Sequence, residues 1–272
     1  MTQNSKNMCV VYKNDLKFNE FDISASEFES EGIKEIYNNY KSKPKLELRI
    51  KDSEMENYEY FDLSKLELTD ELVEKLFSLK KIIFILKKIK FLDLNNNKLK
   101  KFPNLIKYPN IKYLSISYNE INDPIHTDII EELSCEQNKI KSIKSKSLLK
   151  LSGSNNIIES IDIPNIKVLV ANNNKINYIP SYKDLEYIEC IDNQITSLDN
   201  MINLQELYIS GNKLEMLEYL PKIKVLNCIN NPIEKIKYFK NLNILFCSTM
   251  QISSKYKISN ISKVKSDYLI HF

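Results

Sequence analysis

The sequence predicts an α/β solenoid in which short parallel strands stack into one sheet, and three observations lead to this fold class. One motif with four apolar positions and one asparagine recurs along most of the chain. Its copies follow one another at intervals of 18 to 22 residues. Within each copy, apolar and outward-facing positions alternate over a short stretch, which is the period of a strand. A fixed repeat of this length decides the architecture before any single residue is considered.

One copy of the motif occupies residues 204–214. Leu204, Leu207, Ile209 and Leu214 stand at its positions 1, 4, 6 and 11, and Asn212 stands at position 9. Positions 3 to 7 are predicted to form a strand, so that positions 4 and 6 point into the core while positions 3 and 5 point outward. A single unit buries too few apolar side chains to offset the entropy lost on ordering. The units must therefore stack.

Asparagine at position 9 marks the period. The intervals between successive copies are 22, 19, 18, 18, 19, 19 and 19 residues. We expect each asparagine to turn inward at the end of its strand and to bond backbone groups of adjacent coils as a structural ladder. The ladder residues are Asn97, Asn119, Asn138, Asn156, Asn174, Asn193, Asn212 and Asn231.

The pattern Leu-x-x-Leu-x-Leu-x-x-Asn-x-Leu resembles the leucine-rich repeat family, with eight consecutive matches over residues 89–233. The resemblance implies a right-handed solenoid with a parallel β-sheet on its concave face and mostly extended or 3₁₀ segments on its convex side. Units before and after the array carry Leu66 and Met250 in place of the asparagine. Degenerate units of this kind are typical of capping repeats.

Three segments are predicted. Residues 1–57 form an N-terminal capping segment that contains a helix, residues 58–252 form about ten coils, and residues 253–272 form a C-terminal cap. A second helix is expected to start after Thr69, because Leu72, Leu76 and Leu79 follow at helical spacing. The apolar run 80–88 is predicted to be a buried connection, since it is too short to span a membrane. Return segments with proline resemble those of bacterial effector-type leucine-rich proteins, but the ligase domain that some of those carry is absent from this sequence.

Composition narrows the function classes. The net charge is only +3, from 39 basic and 36 acidic residues, and this disfavours a dedicated nucleic-acid partner. Four of the five cysteines (Cys135, Cys190, Cys228 and Cys247) fall at the core-facing position 6, where they act as small apolar residues. No metal or cofactor is expected. Unpaired thiols and an N-terminus without an apolar signal core favour an intracellular, cytoplasmic protein, or the host cytosol for an effector.

Catalysis is not expected, because the two histidines lie far apart and no nucleophile–base pair stands out. The adjacent Glu131 and Glu132 are interpreted as solvated acids. A basic run (Lys139, Lys141, Lys144, Lys146 and Lys150) is interpreted as a solvated face, with binding of phosphate or an acidic partner as the alternative.

Outward positions 3 and 5 indicate where a partner binds. Aromatic and apolar residues among acids are typical of protein-binding hot spots, whereas β-propensity alone would also place Tyr and Val on strands. Phe91 and Tyr113 form a second, smaller candidate. The main candidate consists of Val168, Val170, Tyr187, Glu189, Glu206, Tyr208, Val225 and Asn227.

The sequence thus predicts a non-catalytic module that binds a protein partner through its concave face. The alternative is an adaptor or a pathogen or viral effector, whose N-terminal segment recruits other machinery while the repeats select a target. Neither the partner's identity nor the oligomeric state follows from the sequence.

Overall fold

The computed structural model describes residues 49, 59–217, 219–234, 236, 239–247 and the backbone of 263–265. The chain divides into two compact units, Met1–Asn39 and Tyr40–Phe272, and all described residues lie in the second. Most of the predicted N-terminal and C-terminal caps therefore lies outside the described residues, and the division into three segments stays a prediction.

The described residues form two helices and sixteen short strands. The helices are α1 (Asp70–Ser78) and α2 (Lys80–Leu86). The strands are β1 (Tyr60–Asp62), β2 (Phe91–Asp93), β3 (Tyr113–Ser115), β4 (Ile125–His126), β5 (Glu132–Ser134), β6 (Ser142–Lys144), β7 (Lys150–Ser152), β8 (Ser160–Asp162), β9 (Val168–Val170), β10 (Tyr178–Ile179), β11 (Tyr187–Glu189), β12 (Ser197–Leu198), β13 (Glu206–Tyr208), β14 (Val225–Asn227), β15 (Ile244–Phe246) and β16 (Lys263–Lys265).

One strand from each coil joins an eleven-stranded parallel sheet, the main sheet, in the order β1-β2-β3-β5-β7-β9-β11-β13-β14-β15-β16. Its register pairs each motif position with the same position of the next coil; for example, Ile188 lies opposite Leu207. In each main-sheet strand from β1 to β15 the middle residue is buried, while the flanking positions 3 and 5 are mostly half-buried. The predicted solenoid with a parallel sheet is confirmed.

The position-9 asparagines bridge adjacent coils through their side-chain amides. Asn174 Oδ1 accepts a hydrogen bond from the Ile158 N–H of the preceding coil at 2.9 Å. Its Nδ2 donates to the carbonyls of Gly153 at 3.0 Å and Ala171 at 3.2 Å. The same bonds to both coils recur at Asn138, Asn156 and Asn212. Turn backbone that would otherwise be buried without partners is satisfied in this way.

A left-handed residue precedes each ladder asparagine. The φ angle of Asn173 is 52° and that of Gly211 is 66°. Asparagine, aspartate and glycine tolerate this region best, and they fill six of the eight places. The eight residues are Asn96, Tyr118, Gln137, Asn155, Asn173, Asp192, Gly211 and Asn230.

The return segments are more regular than expected. They form two small parallel sheets, β4-β6-β8 and β10-β12, where only extended or 3₁₀ segments were predicted. Coils of nearly equal length bring successive extended segments into register, so backbone groups can pair between coils, as Ser145 N–H does with the Asp162 carbonyl at 2.9 Å.

The first coil carries both helices. Thr69 caps α1 as expected, because its hydroxyl accepts from the Leu72 N–H at 3.4 Å. The run 80–88, which was predicted to be a buried connection, contains α2. Ile82, Ile85 and Leu86 are buried at helical spacing, and this packing stabilises the helix.

At the other end of the main sheet, β16 pairs in parallel with β15, with Lys263 opposite Ile244. It covers the backbone groups that an edge strand would leave open. No helix in the described part of the chain is long and apolar enough to cross a membrane.

Candidate protein-interaction face

The eight residues of the main candidate lie on four adjacent strands, β9, β11, β13 and β14. All eight are half-buried, so part of each side chain faces solvent. We call this group the C-terminal concave patch: Val168, Val170, Tyr187, Glu189, Glu206, Tyr208, Val225 and Asn227.

Two tyrosine–glutamate pairs occupy the middle of this patch. The Tyr187 hydroxyl donates to Glu189 Oε2 at 2.7 Å, and the Tyr208 hydroxyl donates to Glu206 Oε2 at 3.0 Å. The two tyrosine ring centroids lie 5.7 Å apart, with the rings tilted by 42°. The register sets Tyr187 beside Glu206 and Glu189 beside Tyr208, so the two rings lie on one diagonal and the two acids on the other. We call these four residues the tyrosine–glutamate quartet.

Asn172, at position 7 of the repeat, also orients this site. Its Nδ2 donates to Glu189 Oε1 at 2.7 Å, and its Oδ1 accepts from the Ile191 N–H at 2.7 Å. The sequence interpretation did not single it out. The recurrence of polar residues at position 7 in several coils was the sequence signal for this role. Asn95 and Ser154, at the same position, also accept a hydrogen bond from a backbone N–H of the next coil.

Burial is the main influence on the two phenols of the quartet. It raises the pKa of Tyr208 to about 12, and the negative charge of Glu206 adds to the effect. Burial likewise raises the pKa of Tyr187 well above its ordinary value, with the hydrogen bond to Glu189 as the next cause. Both phenols are therefore neutral donors at neutral pH, and their partners are the carboxylate acceptors.

The neighbouring strands β5 and β7 have a different surface at the same motif positions. Lys150 Nζ lies 2.7 Å from Glu132 Oε1, so this carboxylate has a cation beside it. Ser134 and Ser152 occupy position 5, and the Ser152 hydroxyl donates to Glu136. A polar zone therefore separates the two predicted candidates.

Phe91 and Tyr113, the smaller candidate, stack with ring centroids 6.5 Å apart. The structure adds Tyr60 to this row, because its ring centroid lies 4.9 Å from that of Phe91. The Tyr60 hydroxyl donates to Asp93 Oδ2 at 3.1 Å. Burial raises the pKa of Tyr60 and also that of Asp93. Tyr60 stands at position 3 of the coil that precedes the coil of Phe91, and this shared motif position was the sequence signal for including Tyr60 in the row.

The lysine run does not form one basic face. Lys144 lies on β6 of a return segment, with its Nζ 2.8 Å from Asp162 Oδ2. Lys150 lies on the main sheet and pairs with Glu132. The alternative of a phosphate-binding surface built from this run is therefore not supported, while the absence of a nucleic-acid partner stays a prediction.

The four position-6 cysteines are buried and free. Burial raises the pKa of the Cys247 thiol to about 11 and raises the pKa of the other three as well. Buried thiols held protonated are unreactive and behave as apolar core residues. Within the described ranges, no three His, Cys, Asp or Glu side chains are grouped to hold a metal ion.

Comparison with known proteins agrees with this geometry. The family model described as Leucine Rich Repeat matches residues 203–223, which is one coil of the array. No curated protein matches the chain by sequence.

Three solved structures share the fold. The chain is 21% identical to YopM from Yersinia enterocolitica, with a TM-score of 0.54, and the match covers 66% of this chain and 42% of YopM. It is 22% identical to InlJ from Listeria monocytogenes, with a TM-score of 0.54, and the match covers 71% of this chain and 53% of InlJ. It is 20% identical to the leucine-rich repeat domain of APL1B, with a TM-score of 0.56, and the match covers 78% of this chain and 67% of that domain. The chain thus spans less than half of YopM and about half of InlJ.

Leucine-rich repeats generally serve as non-catalytic modules for protein–protein interaction. The repeat spacing, the stacked parallel strands with their asparagine bridges, the family model that matches one coil and the likeness to solved structures together show that the chain has the leucine-rich repeat fold.

Proposed function

We propose that this chain is a non-catalytic module that binds a protein partner through the C-terminal concave patch. The observation that carries the proposal is the composition of β9, β11, β13 and β14 at positions 3 and 5. Valine and tyrosine side chains face outward there without being needed for the core, which positions 4 and 6 fill. Partly exposed aromatic and apolar groups next to one another are typical of binding hot spots.

The polar zone of the same sheet argues against β-propensity as the sole cause. Glu132 and Lys150 occupy position 3 in β5 and β7, and those strands pair in the same register as the others. Strand formation in this solenoid therefore does not require tyrosine or valine at the outward positions. Their concentration on four adjacent strands calls for another explanation, and partner contact supplies one.

The patch is also held in place before a partner arrives. The two tyrosine hydroxyls are hydrogen-bonded to glutamates on their own strands, and the two rings lie in contact distance of each other. Side chains that are already ordered lose less entropy on binding. Tyrosine in this state offers a large contact area with few rotamers to fix.

The test is affinity capture with matched variants. Wild type, Tyr187→Ala/Tyr208→Ala and Phe91→Ala/Tyr113→Ala are used as bait in lysate of the source cell or its host, after thermal melting shows that each is folded. The two double variants remove aromatic pairs from the same face of the same sheet. Retained proteins are identified by mass spectrometry.

We expect a protein that wild type and Phe91→Ala/Tyr113→Ala retain and Tyr187→Ala/Tyr208→Ala loses. Loss only with Phe91→Ala/Tyr113→Ala would move the contact to the smaller candidate. Equal retention by all three baits would refute concave-face binding. The adaptor or effector alternative concerns residues 1–57, nearly all outside the described residues, and stays a prediction.

A further inference from the structure

The two carboxylates of the tyrosine–glutamate quartet have hydrogen-bond donors but no cation beside them among the described residues. Glu189 accepts from Tyr187 and Asn172, and Glu206 accepts from Tyr208. Within the described part of the chain, neither glutamate has a lysine, arginine or histidine within ion-pairing distance. The quartet therefore carries two negative charges that the described residues leave uncompensated.

Two other acids on the same face have a cation beside them among the described residues. Glu132 has Lys150 beside it, and Asp62 has Arg49. The cation positions next to Glu189 and Glu206 are instead filled by the two tyrosine rings, because the register makes Tyr208 the neighbour of Glu189 and Tyr187 the neighbour of Glu206. This difference within one sheet points to a positive charge that none of the described residues supplies and that a partner can bring.

The geometry of the quartet suits a flat cation. Glu189 and Glu206 lie on a diagonal between neighbouring strands, where residues are about 7–8 Å apart and long side chains can still meet, so one guanidinium group can reach both carboxylates. Such a group can donate hydrogen bonds to both carboxylates through its fork of N–H groups while its plane lies against an aromatic ring. An ammonium group is a compact point charge without these planar contacts. Arginine is therefore the better match.

Apolar residues flank the quartet on both sides. Val168 and Val170 lie on the strand before it, and Val225 lies on the strand after it. A segment that places an arginine in the quartet would bring its neighbouring side chains onto these valines. Burial by those neighbours would also strengthen the charge interaction by excluding water.

We propose that the tyrosine–glutamate quartet is the receptor for one arginine side chain of the protein partner, presented between apolar residues. This inference rests on the proposed function and deepens it, because it names the chemistry that the C-terminal concave patch selects. The partner segment carries a positive charge at its centre and apolar side chains that contact the valines.

Two short peptides test the charge selection. Ac-Val-Arg-Val-NH2 is compared with the same peptide carrying citrulline, which has the shape of arginine without its charge. Both are titrated into the full chain labelled with ¹³C in its tyrosine rings, and Tyr187→Phe and Tyr208→Phe variants assign the two resonances. We expect saturable shifts at both rings with the arginine peptide and about tenfold weaker binding of the citrulline peptide.

Matched variants then locate the selectivity. Glu189→Gln/Glu206→Gln keeps the shape of the quartet and one acceptor oxygen in each side chain but removes both negative charges, and it should remove the preference for arginine over citrulline. Glu132→Gln changes a carboxylate of the same sheet that already has Lys150, and it should leave the preference intact. Replacing arginine by lysine in the peptide should weaken binding to wild type.

Three results would overturn the inference: equal binding of the two peptides, a preference that survives Glu189→Gln/Glu206→Gln, or no shift at Tyr187 and Tyr208 with any peptide. Each is distinguishable from failure of the proposed function. If Tyr187→Ala/Tyr208→Ala still loses a captured protein while the peptides show no charge preference, the patch binds a partner by other contacts. If the peptides show the preference but capture does not depend on the tyrosines, the cation site stands and the proposed function falls.

Discussion

Two rows of side chains run through the array only four motif positions apart, and they follow opposite rules. Position 9 is asparagine in eight successive coils. Position 5 varies along the array and holds Asp62, Asp93, Ser115, Ser134, Ser152, Val170, Glu189, Tyr208, Asn227 and Phe246. The inner row is fixed because its amides must satisfy buried backbone groups of two coils. The side chains of the outer row do not have to satisfy buried backbone groups, so their residue types can vary with what the face binds.

Breaking the inner row should have the largest effect on stability. Asn174→Ala removes the acceptor for Ile158 N–H and the donor to three carbonyls, and buried groups are left without partners. We expect a loss of ~1–3 kcal/mol in the free energy of unfolding, measured by urea denaturation. Asn177→Ala, at an exposed position of the same coil, is the control. A loss no greater than that of the control would contradict a structural role for the ladder.

The outer row should affect stability mainly at alkaline pH. Burial and Glu206 raise the pKa of Tyr208 from 10.0 to about 12, so between these values the folded state keeps a proton that the unfolded chain releases. The stability that this proton contributes is complete below pH 10 and is lost as the pH rises through about 12. Tyr208→Phe removes the titration.

The free energy of unfolding of Tyr208→Phe should therefore fall less steeply from pH 9 to pH 11 than that of wild type, as measured by urea denaturation at each pH. Tyr219→Phe controls for the substitution itself, because Tyr219 is 68% exposed. If Tyr208→Phe and wild type have the same pH dependence, the phenol is not held neutral by its surroundings.

The polar zone of the outer row should show the smallest effect. Lys150→Gln separates the pair with Glu132 at 2.7 Å, but both side chains are partly exposed to water. Ion pairs of this kind contribute roughly 0–1 kcal/mol, and salt screens them. We expect a change in this range that shrinks further in 1 M NaCl, measured as the shift in the urea midpoint. A loss as large as that of Asn174→Ala would remove the contrast between the two rows.

The fold was readable from the sequence because it depends on period. The spacing of asparagines and apolar residues fixed which residues stack, and Thr69 marked the start of α1. The small sheets of the return segments and helix α2 were missed. The sheets arise from coils of matching length, and the helix arises from burial of Ile82 and Ile85, neither of which the motif itself encodes.

The candidate site was predicted only as a set of positions. The repeat assigned Tyr187 and Tyr208 to neighbouring strands, and the register agrees. The pairing of each tyrosine hydroxyl with a carboxylate depends on side-chain rotamers, which the repeat does not specify. The hydrogen bond from Asn172 to Glu189 involves position 7, whereas the site was predicted from positions 3 and 5 alone. The five lysines of the run are exposed to solvent, but Lys144 and Lys150 lie on strands of different sheets, so the run does not form one face. That the patch binds a partner stays a prediction.

Photocrosslinking tests most directly whether the C-terminal concave patch contacts a protein partner. The crosslinker is placed at the same motif position in two regions of the concave face. A benzophenone amino acid is placed at Val170 in the C-terminal concave patch or at Ser134 in the polar zone, both at position 5, and the chain is irradiated in the source cell or its host. We expect one covalent protein adduct from position 170 and none of comparable yield from position 134. Equal adducts from both positions, or an adduct from position 134 alone, would contradict it.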